Sequence, residues 1–192
     1  MSGAIDRLPA EGEIGKKNFA GNIFDRMRGL DFILAKCSGC NVLDIGSNEG
    51  LISYEFARNG ARLIHGFERD GQMVSFAERL FRDVPIESRF IAANLAISGD
   101  EFEKQYQAVL LQQYDVVLFL GVYHHLKKQM PIEHLHNLVE VLLDKTKRWF
   151  VVRTKAIAEF ESIILSRNFK LVHSSPSIKG KGGLLHIYQK KS

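Results

Sequence analysis

The feature that most constrains the fold is a regular alternation, from Asn41 to Arg167, of short apolar runs with segments of helical spacing. Asn41 to Ile45, Ala61 to Glu68, Ser88 to Ala93, Tyr114 to Leu120 and Arg148 to Val152 read as strands rich in Val, Ile, Leu and Phe. Between and after them, Glu49 to Arg58, Gly71 to Arg82, Phe102 to Gln113, Ile132 to Asp144 and Ile157 to Arg167 repeat apolar residues every three or four positions. Strands this apolar need cover on both faces, and helices of this length serve as crossovers between parallel strands. The pattern changes at the end, where Phe169 to Val172 and Leu184 to Gln189 are strand-like with only the polar loop His173 to Gly183 between them. An antiparallel pair follows. The expectation is therefore an α/β fold with a seven-stranded, mostly parallel sheet, six strands running one way and one antiparallel near the edge. Residues 1–38 stand outside the pattern as an N-terminal extension: Met1 to Lys17 has no periodicity, while Phe19 to Ala35 has the spacing of a helix lying across the sheet's edge or over its mouth. A length of 192 residues fits a single domain, with residues 40–190 as its core.

With 45% apolar and 25% charged residues, the chain can bury a real core, which excludes disordered and fibrous classes. Met1 to Lys17 lacks the apolar centre of a signal peptide, and the longest apolar run, Val116 to Tyr123, is far short of the roughly 18 residues of a membrane span. A cytoplasmic protein without a membrane span is expected. Cys37 and Cys40 form a C-x-x-C, but the pair precedes a strand instead of opening a helix and has no second pair to complete a zinc site. Two reduced thiols at the bottom of the domain are the expectation.

Ligands of open α/β sheets sit beyond the carboxyl ends of the strands, where strand order reverses, so the first strand-to-helix turn is the place to look. It reads Val42-Leu43-Asp44-Ile45-Gly46-Ser47-Asn48-Glu49-Gly50, a G-x-x-x-G with an acidic residue two positions before the first glycine. A dinucleotide fingerprint would have glycine where Asn48 stands, and Asp44 and Glu49 would repel a pyrophosphate. The turn suits a ligand with a cationic portion. Glu68, at the end of the second strand, adds a carboxylate placed to accept hydrogen bonds from two ribose hydroxyls. Adenosine joined to a positively charged tail fits both groups.

The motif resembles that of the class I S-adenosylmethionine-dependent methyltransferases, whose first motif has the form VLDIGxxxG. The likeness covers about residues 40–190 and includes the closing pair of strands. Tyr114 to Leu126, YDVVLFLGVYHHL, is similar to the family's fourth strand and following loop, in particular to the enzymes that carboxymethylate wobble uridine in tRNA and to polysaccharide-capping methyltransferases. The resemblance implies S-adenosylmethionine as cofactor. It further implies that Asp44 and Gly46 lie near the methionine end of the cofactor, that Ser47 and Asn48 belong to the cofactor-binding turn, that Gly50 lets helix and backbone approach closely, and that Glu68 holds the ribose. Asn94 stands where the family often has an Asp facing the adenine amino group, and its amide oxygen can accept the same hydrogen bond. Leu120 and Gly121 would contribute backbone atoms near the amino-acid portion, and Phe67 or Arg69 would border the adenosine.

The implied reaction is an in-line displacement on an activated methyl group, in which positioning supplies much of the rate. His124 and His125 follow the fourth strand at the ligand-facing end and are the candidate general bases, with Tyr123 shaping the acceptor pocket. No metal site is expected, since His124 and His125 precede the helix that contains His134 and His136, with no supporting Cys or carboxylate spacing. Lys16, Lys17, Arg26, Arg28, Lys179 and Lys181 could rim the mouth, and the net charge of +4 agrees with an anionic acceptor such as a phosphorylated sugar, a nucleotide or RNA. The acceptor itself is not identified by the sequence. The competing readings are a non-catalytic S-adenosylmethionine-binding scaffold, an RNA methyltransferase and a nicotinamide-dependent oxidoreductase on a similar sheet.

Overall fold

The computed structural model describes residues 26–175 and 183–191. Its centre is one seven-stranded sheet built from β1 (Asn41–Ile45), β2 (Leu63–Glu68), β3 (Glu87–Ala92), β4 (Tyr114–Leu120), β5 (Thr146–Thr154), β6 (Phe169–Ser175) and β7 (Leu184–Lys190). Their order is β3-β2-β1-β4-β5-β7-β6. The pairs from β3 through β5 are parallel, and β7 runs antiparallel to both β5 and β6, so six strands share one direction. The helices are α1 (Asp31–Leu34), α2 (Leu51–Arg58), α3 (Gly71–Phe81), α4 (Gly99–Tyr106), α5 (Tyr123–Leu126), α6 (Ile132–Asp144) and α7 (Glu161–Ser166), with a 3₁₀ turn at Ile157–Glu159.

Alternation along the central strands sends side chains to opposite faces, and each face carries its own core. Leu43, Phe67, Phe119 and Phe150 pack with Phe102 of α4 and Leu138 of α6 on one side. Val42, Ile64, Leu118 and Val151 pack with Phe56 of α2 and Phe81 of α3 on the other. Each fully buried Phe or Leu contributes about 1.5–3 kcal/mol of transfer free energy, so the double cover is the main force holding the sheet. The chain adds β2 and β3 on one side of β1 and then crosses to β4 on the other side. That reversal opens a crevice between the carboxyl ends of β1 and β4.

Several element boundaries differ from the sequence expectation, each for a local reason. The helix expected over Phe102 to Gln113 instead starts at Gly99 and ends at Tyr106, because Ser98 and Glu101 close a reciprocal capping box. Beyond it, the Tyr114 hydroxyl accepts the Leu111 N–H and folds the apolar tail back onto the core. The helix expected over Ile157 to Arg167 is broken at Phe160, whose φ of −140° lies outside helical space and whose ring is fully buried. The second helix begins at Leu51, not Glu49, because Gly50 is left-handed.

Of the helix expected over Phe19 to Ala35, residues 19–25 lie outside the described residues. Within them, Arg26 and Met27 are helical, and α1 resumes only at Asp31. Gly29, with φ +78°, interrupts the run, and a side chain there would collide with Ser175 and Leu185. The segment therefore bends over the ends of β6 and β7. Phe32 then stacks on His173 and meets Trp149 edge-on.

Cys37 and Cys40 are buried free thiols just before β1. Burial pushes the Cys37 thiol up to about 11, assisted by Cys40, so no reactive thiolate forms near neutrality. Among the described residues no helix is long and apolar enough to cross a membrane.

Candidate functional site

A cavity of about 260 Å³ lies at the strand-order reversal. Gly46, Glu68, Asn94, Leu120, Gly121 and His125 line it, all residues singled out by sequence, and Arg69, Leu95, Ala96, Val122, Leu126 and Gln129 complete the wall.

The turn after β1 owes its shape to backbone bonds with β2. Gly46 N–H and Ser47 N–H both donate to the Phe67 carbonyl, at 2.7 and 3.1 Å. Asn48, at φ +50°, donates its N–H to Glu68 Oε2 at 3.1 Å. The three amides that would cradle a phosphate in a dinucleotide site are thus spent on β2. Gly46 has φ +77°, and a Cβ there would lie 2.4 Å from Val122 Cγ2, whereas Gly121, at φ +73°, has open space around it. Gly46→Ala is therefore expected to cost about 2–4 kcal/mol in urea unfolding, combining left-handed strain with a collision. Gly121→Ala pays only the backbone part, about 1–2 kcal/mol. Equal losses for the two variants would contradict this packing.

Glu68 is fixed from two directions. Oε2 accepts the Asn48 N–H and Oε1 accepts the Asp70 N–H at 3.0 Å. Each carboxylate oxygen has a second lone pair, so Glu68 can still receive two hydroxyl donors from the cavity. Asp70 in turn caps α3 by accepting the Gln72 N–H at 2.9 Å.

Asp44 does not line the cavity. It sits beneath the turn, 3% exposed, with Ser53 Oγ donating to its Oδ2 at 2.7 Å. Burial pushes its carboxyl up to about 6, against the downward pull of the Ser53 hydroxyl and the Arg26 guanidinium, with Glu68 adding a further upward push. Ser53 was missed by sequence reasoning, although a serine among the apolar residues of α2's buried face is a readable signal. Ser47 is also buried away from the cavity. Its hydroxyl lies against Gly66, with no hydrogen-bond partner among the described residues. Gly50, at φ +74°, has Ala77 of α3 2.9 Å from where a Cβ would stand, consistent with close approach of helix and backbone.

Asn94 is exposed at the cavity's edge, where its Oδ1 accepts the Ala96 N–H at 3.0 Å. Of the two residues flanking Glu68, only Arg69 borders the cavity, and its Nη1 donates to Gln129 Oε1 at 3.2 Å, joining two parts of the wall. Phe67 is buried in the core against Phe102 and Tyr106.

The two histidines part company. His125 lines the cavity, whereas His124 is exposed beside it, with their rings 3.9 Å apart. Partial burial, His125 and Lys128 hold His124 below the ordinary imidazole range, favouring its neutral form. Tyr123 does not face an acceptor pocket. Its ring is fully buried and stacked on Phe160, and its hydroxyl donates to Glu159 Oε2 at 3.0 Å. Lys127 Nζ donates to both Glu159 oxygens, at 2.8 and 2.7 Å. This clasp, unforeseen from sequence, ties the single turn α5 to the segment after β5.

Of the proposed basic rim, Lys16, Lys17, Lys179 and Lys181 lie outside the described residues. Arg26 pairs with Glu49 at 3.6 Å, and the Arg28 carbonyl accepts a bond from Arg153 at 2.8 Å.

No protein-family profile and no curated protein sequence matches the chain. Solved structures do match. Magnesium protoporphyrin IX methyltransferase from Synechocystis PCC 6803, with S-adenosylmethionine bound, superposes with a TM-score of 0.67 over 88% of this chain and 81% of its own, at 19% identity. The N-methyltransferase NodS from Bradyrhizobium japonicum WM9, with S-adenosyl-L-homocysteine, gives 0.69 over 95% and 94%, at 11% identity. Ribosomal protein L11 methylase from Lactobacillus delbrueckii subsp. bulgaricus gives 0.60 over 87% and 78%, at 15% identity. The chain has the Rossmann-like methyltransferase fold. Two of the three are named for acceptors of different kinds, a magnesium porphyrin and a ribosomal protein, so the shared fold leaves the acceptor of this chain open.

Proposed function

We propose that the chain is an S-adenosylmethionine-dependent methyltransferase acting on a polar acceptor. The observation that carries the reading is the exchange of charge at the turn after β1: its amides are consumed by β2, the Glu68 carboxylate lines the cavity where a phosphate site would present N–H donors, and the Asp44 carboxylate lies buried beneath the turn. A nucleoside with a cationic tail fits this arrangement, and a pyrophosphate does not. Glu68 would receive the ribose hydroxyls, Asn94 and the wall at Leu95 and Ala96 would border the base, and Gly46, Leu120 and Gly121 would pass the tail over bare backbone toward Asp44.

When bound, the cofactor supplies an activated methyl group on a sulfonium. The protein's part is to hold donor and acceptor in line and exclude water. His125, at the cavity wall, would accept the proton that an O–H or N–H acceptor loses as it is methylated, and its exposed face would pass that proton to solvent. The Tyr123–Glu159–Lys127 clasp would keep that turn in place, because a four-residue helix has no stability of its own.

The first test is calorimetry. S-adenosylhomocysteine is expected to bind at one site per chain and NAD is not; heat and saturation with NAD alone would support an oxidoreductase and end this reading. The second uses tritiated methyl transfer into cell extract as a source of acceptor. His125→Asn is expected to lower incorporation by about 10²-fold or more, with S-adenosylhomocysteine affinity within threefold of wild type, and His124→Asn to have the smaller effect. Undiminished transfer in the double variant would remove both imidazoles from the chemistry. The likeness of Tyr114 to Leu126 to tRNA- and polysaccharide-modifying enzymes makes RNA and saccharide fractions of the extract the first acceptors to try.

A further inference from the structure

One edge of the sheet carries charge of a single sign. β5, β6 and β7 hold five lysines and arginines and no acidic residue, and Lys191 follows β7 directly. Acids from neighbouring elements are already engaged: Asp115 takes Lys147 at 3.6 Å, and Asp144 and Glu140 take Arg167. Asp31 opens α1, whereas Lys36 lies beyond the other end of that helix. Among the described residues Lys36, Arg148, Lys170 and Lys191 are exposed and form no ion pair.

These four cations share one surface at the amino ends of the parallel strands. Lys36 Nζ lies 4.2 Å from the centroid of the Phe32 ring, Phe32 meets Trp149 edge-on at 6.1 Å, and the Arg148 guanidinium lies 6.0 Å from Trp149. The rings steady the two long side chains by cation–π attraction while their charged heads stay in water. Trp149 is the register partner of Gln189 in β7, and Gln189 of Lys170 in β6. Lys170 therefore stands on the same face two strands away, about 10 Å at ordinary strand spacing. The Lys191 N–H donates to the Asn168 carbonyl at 2.8 Å, which keeps the fourth cation beside the start of β6. The cavity is at the opposite end of the sheet, since the nine residues of β5 alone span roughly 30 Å.

Neighbouring cations without counter-ions repel one another, and a strand of phosphates relieves that repulsion at several points at once. A protein partner or a membrane would need an apolar anchor as well. The large apolar side chains exposed among the described residues are Leu165, Leu171 and Leu184. Leu165 is on α7, Leu184 is at the other end of β7, and Leu171, next to Lys170, points to the opposite face of the sheet. We propose that Lys36, Arg148, Lys170 and Lys191 form a docking surface for a nucleic-acid strand, held by its phosphates and not by its bases. The surface is separate from the cavity, so the inference goes beyond the methyl-transfer reading and stands whether or not a cofactor binds.

The experiment follows binding of the full chain to end-labelled poly(U) by fluorescence anisotropy between about 50 and 200 mM salt, with poly(dT), polyglutamate and phosphatidylserine vesicles as further probes. Changing the four cations together to Gln is expected to weaken poly(U) binding by about 30-fold or more at low salt. The slope of log affinity against log salt should drop by about 3, from roughly 0.7 per phosphate contact on a single strand. A control that removes the same net charge elsewhere, by changing Arg79, Arg82, Arg89 and Lys104 to Gln around α3, β3 and α4, should stay within about threefold of wild type. Lys170→Glu and Lys191→Glu, made singly, touch side chains with no hydrogen bond or ion pair among the described residues, so they separate lost docking from lost folding. Each should weaken poly(U) by about fivefold or more. Because the phosphates carry the contact, poly(dT) should bind within about threefold of poly(U). Equal losses in the patch and control variants, polyglutamate or vesicles binding as tightly as poly(U), or no association with poly(U) at low salt would each overturn the proposal.

Discussion

Glu68→Gln is expected to weaken S-adenosylhomocysteine binding by about 30- to 100-fold, the equivalent of roughly 2–3 kcal/mol for charge-assisted hydrogen bonds lost from a partly buried site. The size follows from how the carboxylate is used. One oxygen accepts the Asn48 N–H and the other the Asp70 N–H, which aims the remaining lone pairs into the cavity. Glutamine has one acceptor and one donor in that place, so its amide NH₂ must confront a backbone N–H on one side or the other. The substitution therefore injures the turn as well as the ribose contact, and a stability loss of about 1–2 kcal/mol should accompany it. Glu68→Asp, one methylene shorter, keeps the charge but loses the reach, and should fall between Gln and wild type. Calorimetry and urea unfolding on the same samples separate the two effects. Affinity within threefold of wild type for Glu68→Gln would show that the ribose is held elsewhere.

The sheet was legible because its strands are buried on both faces: continuous runs such as Val116 to Phe119 admit few other placements, and the lack of helical spacing in the sequence between Phe169 and Leu184 points to the antiparallel return. Helix ends were less legible because they are fixed by single side chains. Ser98 and Glu101 start α4 earlier than its apolar periodicity does, and the buried ring of Phe160 splits the last helix where spacing alone runs on. Within the site, Gly46, Glu68, Asn94, Leu120, Gly121 and His125 could be picked out because strand ends and turns place them regardless of packing. Sequence reasoning did not separate residues that line the cavity from residues one layer beneath it. Asp44, Ser47 and Tyr123 carry polar groups at the expected positions yet are turned inward, toward Ser53, Gly66 and Glu159 respectively. Partners such as Gln129, Arg153 and Glu159 come from elements far along the chain, and only tertiary packing brings them together.

Asp44 sets stability against cofactor binding, and pH reveals the exchange. Burial raises its folded pKa to about 6 from an ordinary value of 3.8. Below about pH 4 the carboxyl is protonated in both folded and unfolded chains and costs nothing. Between about 4 and 6 the unfolded chain ionises first, so it holds fewer protons than the folded one and stability falls as pH rises. Above 6 both are ionised and the cost is constant, at most about 3 kcal/mol by the conversion of pKa to free energy. Asp44→Asn removes the ionisation, and its amide can still bond the Ser53 hydroxyl. The variant is therefore expected to be more stable than wild type above pH 6, with the advantage shrinking to nothing near pH 4, in urea unfolding across that range. Binding should move the other way. On the proposed reading the ionised carboxylate attracts the cofactor's cationic tail from beneath the turn, so wild-type affinity for S-adenosylhomocysteine should fall as pH drops below 6, with protons released on binding in that window. Asp44→Asn should lose about tenfold at pH 7.5, the scale of a nearby charge acting without a direct bond, and show little pH dependence. A variant that gains stability while losing the ligand would mark this carboxylate as a group kept at the expense of the fold for the sake of the cationic tail. A flat wild-type binding profile between pH 7 and 5 would mean that the charge of Asp44 is not what the ligand meets.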